Sequence, residues 1–409
     1  MSKLIRFFSL FFSMLTLIFL LAGCGEVASK KQEDSTIDHS KHGMENSSAT
    51  KGLFSLNTKN VTRINQDDPI RVAVETSQTI WPATSDGNRP GTVLLGIGAE
   101  WKVNLPAVTL VHHPNNGPLL YAEKNQIPEA TLQEIKRLNP TGSKMNKGIQ
   151  VILIGDFANT VRQQLENQGL KVDQIKGTEP ASMAKEIDAY YAKASGGKFP
   201  DGVVIGSMDS SDYTLPVANW IAHMPEPLLY VSKDTIPEAT IDALKQRQNK
   251  ANIYLLGPEK VVSKKVEQKL QFYGKVTRIS GESPEENAIA FAKYKDLETG
   301  FGWGVTQPGH GLTFNRTDRV DQAIVSAPFA HLGKHTPMVL LQGTELSTPL
   351  HEYLMSLQPK FKKEPTEGPY NHAYVIGTEK SIPFSTQGMI DEMLEITSVS
   401  GKGHEDMGH

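Results

Sequence analysis

The run Ile127-Pro-Glu-Ala-Thr-Leu-Gln-Glu-Ile-Lys136 returns 109 residues later as Ile236-Pro-Glu-Ala-Thr-Ile-Asp-Ala-Leu-Lys245. Each copy follows an apolar run at the same offset, Pro118-Leu-Leu-Tyr121 and Pro227-Leu-Leu-Tyr230. A weaker third copy has Pro337-Met-Val-Leu-Leu341 leading into Leu346-Ser-Thr-Pro-Leu-His-Glu-Tyr-Leu-Met355. The period is too long for a solenoid unit of roughly 20–50 residues. It is the size of a small domain, so one module is used three times. Ile127, Leu132, Ile135 and Leu138 recur at helical spacing, which makes the repeated run a packing helix rather than a functional motif.

Working outward from that helix, other landmarks recur. Val61-Thr-Arg-Ile64, Val172-Asp-Gln-Ile175 and Val276-Thr-Arg-Ile279 read as short strands, each followed five residues later by Pro69, Pro180 or Pro284 and then a helix. Ser283 caps the last of these, Pro284 fits the first helical position and Glu286 closes a capping box; Asp68-Pro69 makes the same start in the first module. Val93-Leu-Leu95 and Gly202-Val-Val-Ile205 read as buried strands. Val151-Ile-Leu-Ile-Gly155, Ile253-Tyr-Leu-Leu-Gly257 and Ala373-Tyr-Val-Ile-Gly377 are strands ending in glycine. Short apolar strands alternating with helices indicate an α/β fold with parallel sheets covered on both faces and right-handed crossovers. The period sets modules at 58–170, 171–274 and 275–397.

The flanks follow different rules. Lys3 and Arg6 precede an apolar stretch, Phe7 to Leu21, and Leu21-Ala-Gly-Cys24 closes it. This is the layout of a signal peptide over residues 1–23. Its end resembles a bacterial lipobox, which implies cleavage after Gly23 and diacylglycerol on the Cys24 sulfur. The alternative, a plain membrane anchor, has a run short of the ~20 residues needed to span. Cys24 is the only cysteine, so no intrachain disulfide supports the core. Losing Lys3 and Arg6, with no acid in residues 1–23, takes the formal charge from −3 to −5, which argues against a nucleic-acid partner. Residues 24–57 read as a polar tether and 398–409 as a polar tail. His39, His42 and Met44 in the first, and His404, Met407 and His409 in the second, combine imidazole with thioether, the ligand set that favours copper. The other reading of both is a polar segment in which histidine is incidental. His404 and His409 are five apart, not the four a zinc-protease helix needs.

In order, Val-x-Arg-Ile, helix, strand, Ala-Pro-x-Ala, Pro-x-x-Leu-Leu, helix and strand-Gly resembles the cell wall binding repeat 2 family. The third module carries the nearest match, Ser326-Ala-Pro-Phe-Ala-His-Leu-Gly-Lys-His-Thr-Pro-Met-Val-Leu-Leu341. The resemblance covers 58–396. It implies three α/β modules about a pseudo-threefold axis and non-covalent attachment to anionic polymers of the cell wall. The chain departs from the pattern after the first strand. The family continues with Gly, an acid, Arg and Tyr; here proline takes the Arg position in all three modules, and Ile70, Ala181 or Glu285 the Tyr position.

Candidate ligand-binding residues follow from charge and aromaticity. Arg63 and Arg278 hold equivalent places, and a guanidinium fork suits carboxylate or phosphate; the competing reading is a salt bridge between modules. Arg316 and Arg319 follow a Gly- and aromatic-containing loop, Gly300-Phe-Gly-Trp-Gly304 onward, in which Trp303 offers a face for stacking on sugar. The same loop also reads as a plain surface excursion. Ser207, Asp209 and Asp212 fit helix caps. Gly96-Ile-Gly98 reaches Trp101 where a dinucleotide site wants its third glycine, and no Walker loop, Gly-x-Ser-x-Gly elbow or cysteine nucleophile is present. The reading is therefore a lipid-anchored, outward-facing surface lipoprotein at the membrane and wall. It binds anionic wall polymer or peptidoglycan-associated glycan, needs no cofactor and catalyses nothing. The alternatives are a copper-binding lipoprotein acting through its tails and an α/β enzyme with a convergent polar site at the strand ends.

Overall fold

The computed structural model describes residues 46, 48–332 and 334–400. Cys24, His39, His42, Met44, His404, Met407 and His409 lie outside the described residues. So do residues 1–23 and most of 24–57 and 398–409.

Three four-stranded parallel sheets carry the chain. Sheet 1 uses β2 (Val93–Ile97), β3 (Leu119–Ala122), β4 (Val151–Ile154) and β5 (Val172–Ile175), in the order β3-β2-β4-β5. Sheet 2 repeats it with β6 (Gly202–Ser207), β7 (Leu228–Val231), β8 (Ala251–Leu256) and β9 (Gly274–Ile279), ordered β7-β6-β8-β9. Sheet 3 contains β10 (Gly311–Arg316), β11 (Met338–Leu341) and β13 (His372–Ile376), and is completed by β1 (Val61–Ile64) from the other end of the chain. Val61 pairs with Ala373 and Ile64 with Ile376. A two-residue pair, β12 (Lys360–Phe361) with β14 (Thr397–Ser398), stands apart.

This allocation differs from the one the period gives. Strands 61–64, 172–175 and 276–279 do not open their modules; each closes the sheet of the preceding one. The helix after each strand then crosses to the next sheet. α1 (Pro69–Ile80) packs on β3, α5 (Pro180–Ala194) on β7 and α10 (Pro284–Lys293) on β11. The same helices touch the central segments of the sheet they leave: α1 meets α11 (Val320–Ser326), α5 meets α2 (Trp101–Ala107), and α10 meets α6 (Ser211–Thr214). The modules thus interlock in a pseudo-threefold ring. Proline opens all three crossing helices, capped by Asp68, Glu179 and Ser283, the last with the full capping box.

The repeated motif now has a physical account. Thr131 Oγ1, in α3 (Glu129–Leu138), donates to Tyr121 O at 2.7 Å. Thr240 Oγ1, in α8 (Glu238–Lys245), donates to Tyr230 O at 2.6 Å. Each hydroxyl satisfies the strand end that its helix covers. In the third copy Leu350 replaces this threonine and Ser347 caps α12 (Thr348–Ser356) by accepting from Leu350 N. β2, β3, β4, β7 and β11 are buried along their whole length. Each large apolar side chain buried this way contributes roughly 1.5–3 kcal/mol. No helix among the described residues is long and apolar enough to cross a membrane.

Candidate functional site

The equivalent residues Arg63, Gln174 and Arg278 lie on the closing strands, and all three do one job. Arg63 Nη1 donates to Gly377 O at 2.7 Å, Arg278 Nη1 to Gly257 O at 2.7 Å, and Gln174 Nε2 to Gly155 O at 3.0 Å. Each acceptor is the glycine that ends the third strand of a sheet, at φ 130, 101 and 100°, where a side chain would be strained. Arg63 is 4 % exposed and also donates to Gln387 Oε1 at 2.7 Å. Arg278 is paired with Glu267 at 2.8 Å. These guanidiniums tie strand ends together inside the fold. The salt bridge of Arg278 thus lies within a module rather than between modules.

Trp303 is 4 % exposed and offers no free face to a sugar. Its ring meets Trp220 edge-on at 5.1 Å, and Phe301 stacks on Tyr254 at 3.5 Å. The loop is an apolar plug, turned inward by glycines at positive φ (Gly300, Gly302, Gly304). Arg316 holds Asp318 in a fork at 2.8 and 2.7 Å and donates to Ser381 O. Arg319 is exposed at the start of α11. Asp209 accepts from Lys233 N at 3.1 Å and Ser232 Oγ at 3.3 Å, and α6 has no side-chain cap; Asp209 therefore fastens a neighbouring loop instead.

The sheet order places a switch point between the first and third strands of each module, and ligands of open α/β sheets bind beyond the carboxyl ends there. Three equivalent crevices result. In module 1, Ala99 to Val103 face Thr178 and Pro180 across a cavity of about 320 Å³, the lower end of the usual ligand range. Ala99 sits at φ 64°, a left-handed conformation rare outside glycine and typical of functional positions. Trp101 is half-buried, its ring edge against Tyr230 at 6.3 Å, with the Lys102 ammonium 5.6 Å from its centroid. Glu100 Oε2 is buried without a hydrogen-bond partner among the described residues. Burial pushes the Glu100 carboxyl up; Asp156 adds to this and Lys124 opposes it. Lys124 and Asp156 pair with each other at 3.3 Å.

In the other two crevices the corresponding loops are bonded to one another. In module 2, Tyr213 Oη and Lys260 Nζ both donate to Glu282 O at 2.5 Å. In module 3, Asp67 accepts from Thr378 Oγ1 and Ser381 Oγ at 2.5 Å each, beside the Arg316–Asp318 fork. Burial acts to raise the Asp67 carboxyl, but the bonds from Ser381 and Thr378 outweigh it and hold it below the usual range. Module 1 places an indole, an ammonium and an unpaired carboxyl oxygen around this cavity. That combination suits hydroxyl-rich or zwitterionic ligands: the indole edge is apolar, and the carboxyl oxygen accepts. Sequence reasoning reached Trp101 only as a reason to reject a dinucleotide site. No group of three or more His, Cys, Asp or Glu among the described residues is arranged to hold a metal ion.

No family model matches the chain. A 163-residue stretch is 34 % identical to the amidase enhancer of Bacillus subtilis (strain 168), covering 39 % of this chain and 23 % of that protein. Among solved structures, Cwp6 from Clostridium difficile superimposes with TM-score 0.62 at 19 % identity, over 82 % of this chain and 48 % of that one. Cwp8 from the same organism does so with TM-score 0.62 at 18 % identity, over 83 % and 52 %. The chain therefore shares its α/β architecture with about half of each of these two longer chains, and its stretch of likeness to the amidase enhancer spans under a quarter of that protein.

Proposed function

We propose that this chain is a surface lipoprotein that binds a polymer of the cell wall non-covalently, with the first module's crevice as its contact point. The observation that carries the reading is that crevice, lined by Trp101, Lys102 and the unpartnered Glu100 oxygen, on an architecture shared with Cwp6 and Cwp8. Trp101 supplies a stacking surface, Lys102 a positive charge for an anionic polymer, and the bare Glu100 oxygen an acceptor for hydroxyl or amine. Arg319 adds a second exposed cation on the corresponding edge of module 3. Two acyl chains on Cys24 would hold the protein at the membrane, so wall binding serves bridging rather than retention.

Binding of the full soluble chain to purified walls, with and without their anionic polymer, tests this. Salt-sensitive sedimentation with polymer-bearing walls is expected, and equal recovery from walls and buffer overturns it. Replacing Cys24 with alanine is expected to release the protein from the membrane fraction. The likeness to an amidase enhancer favours a second, narrower role, in which the bound protein assists a wall-cleaving amidase without itself cleaving. Wall lysis by a purified amidase, measured with and without the chain, decides between the two roles. A rate increase supports assistance, and an unchanged rate leaves simple attachment.

A further inference from the structure

Each module's central helical segment ends in a histidine. His112 follows the 3-10 turn Val108–Val111, His223 closes α7 (Val217–His223), and His331 follows the 3-10 turn Ala327–Ala330. α7 packs against both turns, so the three ends converge where the modules meet. The rings of His112 and His331 lie 5.5 Å apart, and His223 lies 4.3 Å from His335 and stacks on Trp303 at 5.7 Å. His331 Nε2 stands 2.8 Å from Asn116 Oδ1 and donates to it, which leaves Nδ1 bare. The Nδ1 atoms of His331 and His112 are both buried without a hydrogen-bond partner among the described residues.

We propose that this cluster makes the junction of the three modules proton-sensitive, so that charging the converging imidazoles loosens their packing. Burial first, and neighbouring imidazoles second, lower His223 and His331 to about 4. His112 and His335 are lowered for the same reasons. The other groups acting on these rings are His113, His310 and Lys295, and no carboxylate figures among them. Glu226 stands on the far edge of Trp220, accepting from its Nε1 at 3.1 Å, with Tyr191 of α5 beside it; burial raises Glu226 too. New positive charge at the junction therefore meets other bases and aromatic walls rather than a counter-ion.

The folded pKa values lie below the unfolded value of about 6.5, so the unfolded chain binds more protons between the two. Stability from this source is complete above about pH 6.5 and falls as pH drops toward 4, by at most about three hundredfold in the folding ratio per imidazole. Carboxyls raised by burial, among them Glu75 and Glu100, act in the opposite sense over part of that range. The readout is accordingly the difference from a variant. Denaturant unfolding of the full chain and of the double variant His223→Asn with His331→Asn is followed from pH 8 to pH 4.5. The native chain is expected to lose at least about tenfold more of its folding ratio than the variant, and parallel profiles overturn the proposal. If the variant does not fold, proton NMR of the native imidazoles decides. Two or more resonances still neutral near pH 5 support it, and titration of all of them near 6.5 overturns it. Amide exchange at pH 5 is expected to rise in α7 relative to α9 (Lys264–Leu270), and an unchanged ratio also sinks the junction reading.

Discussion

The crevices of modules 1 and 3 are built by equivalent strands in the same order, yet their loops are bonded differently. In module 3 the acid of the loop after the closing strand, Asp67, finds two hydroxyls, Thr378 and Ser381, and the loop after the first strand spends Arg316 on Asp318. In module 1 the corresponding loops bring Thr178 and Pro180 against Glu100 and Trp101, and one carboxyl oxygen is left without a partner. The same scaffold thus carries different bonding at equivalent edges, and module 3 in turn buries Asp321 Oδ1 and Glu379 Oε1 without hydrogen-bond partners among the described residues.

That contrast can be tested from its scaffold outward. The largest effect is expected at the strand clamp. Arg63→Ala removes a buried guanidinium and strands Gly377 O and Gln387 Oε1, and should cost about 3 kcal/mol in denaturant unfolding. The counterpart Gln174→Ala, with one neutral bond at stake, should cost about 1 kcal/mol. Equal costs would break the claim that the two residues do the same job with different strength. Next, Asp67→Asn should destabilise by about 2 kcal/mol at pH 7, because charge-assisted bonds are lost. The native carboxyl is depressed, so its contribution is present above an unfolded pKa of about 4 and disappears as pH falls through the lower folded value. The gap between native and variant should therefore close in acid.

Smaller effects are expected at the open crevice. Trp101→Ala should weaken wall binding about tenfold, or about 1.4 kcal/mol, while Arg278→Lys, at a clamp, should leave binding unchanged. The reverse pattern would move the ligand away from module 1. Smallest and opposite in sign is Glu100→Gln. A carboxyl raised by burial costs stability above its folded pKa, so the neutral isostere should gain a small amount of stability at pH 7, and nothing below about pH 4. A loss instead would mean that Glu100 is satisfied by a partner, and the contrast with Asp67 would vanish.

The sequence carried the period, the strand-helix alternation and the capped prolines, because those signals are local. The ownership of the closing strand is not local. Val61 pairs with Ala373, and a periodic pattern looks the same whether a strand opens one unit or closes the one before. Arg63 and Arg278 read both as anion grips and as salt bridges between modules, because guanidinium chemistry is the same in either. The signal that could have corrected this was Gln174, since glutamine shares only the N–H donors. Trp303 lay in a glycine-rich stretch that reads as surface, and nothing in its vicinity announces that Tyr254 and Trp220 will receive the loop. The open crevice depends on what is missing around Glu100, and a missing partner leaves no trace in a linear pattern.

The pairing of β1 with β13 also governs the order in which the molecule can be completed. During synthesis the first strand of the ring emerges hundreds of residues before its partner, and contacts this distant in sequence form late and slowly. Sheets 1 and 2 can assemble from contiguous chain as it appears, in the usual N-to-C sequence. Sheet 3 has to wait for both ends. Until then the unpaired edge of β1 is a free template for another chain's strand. The seam that closes the ring is thus also its window of vulnerability, open only while the nascent protein is unfinished.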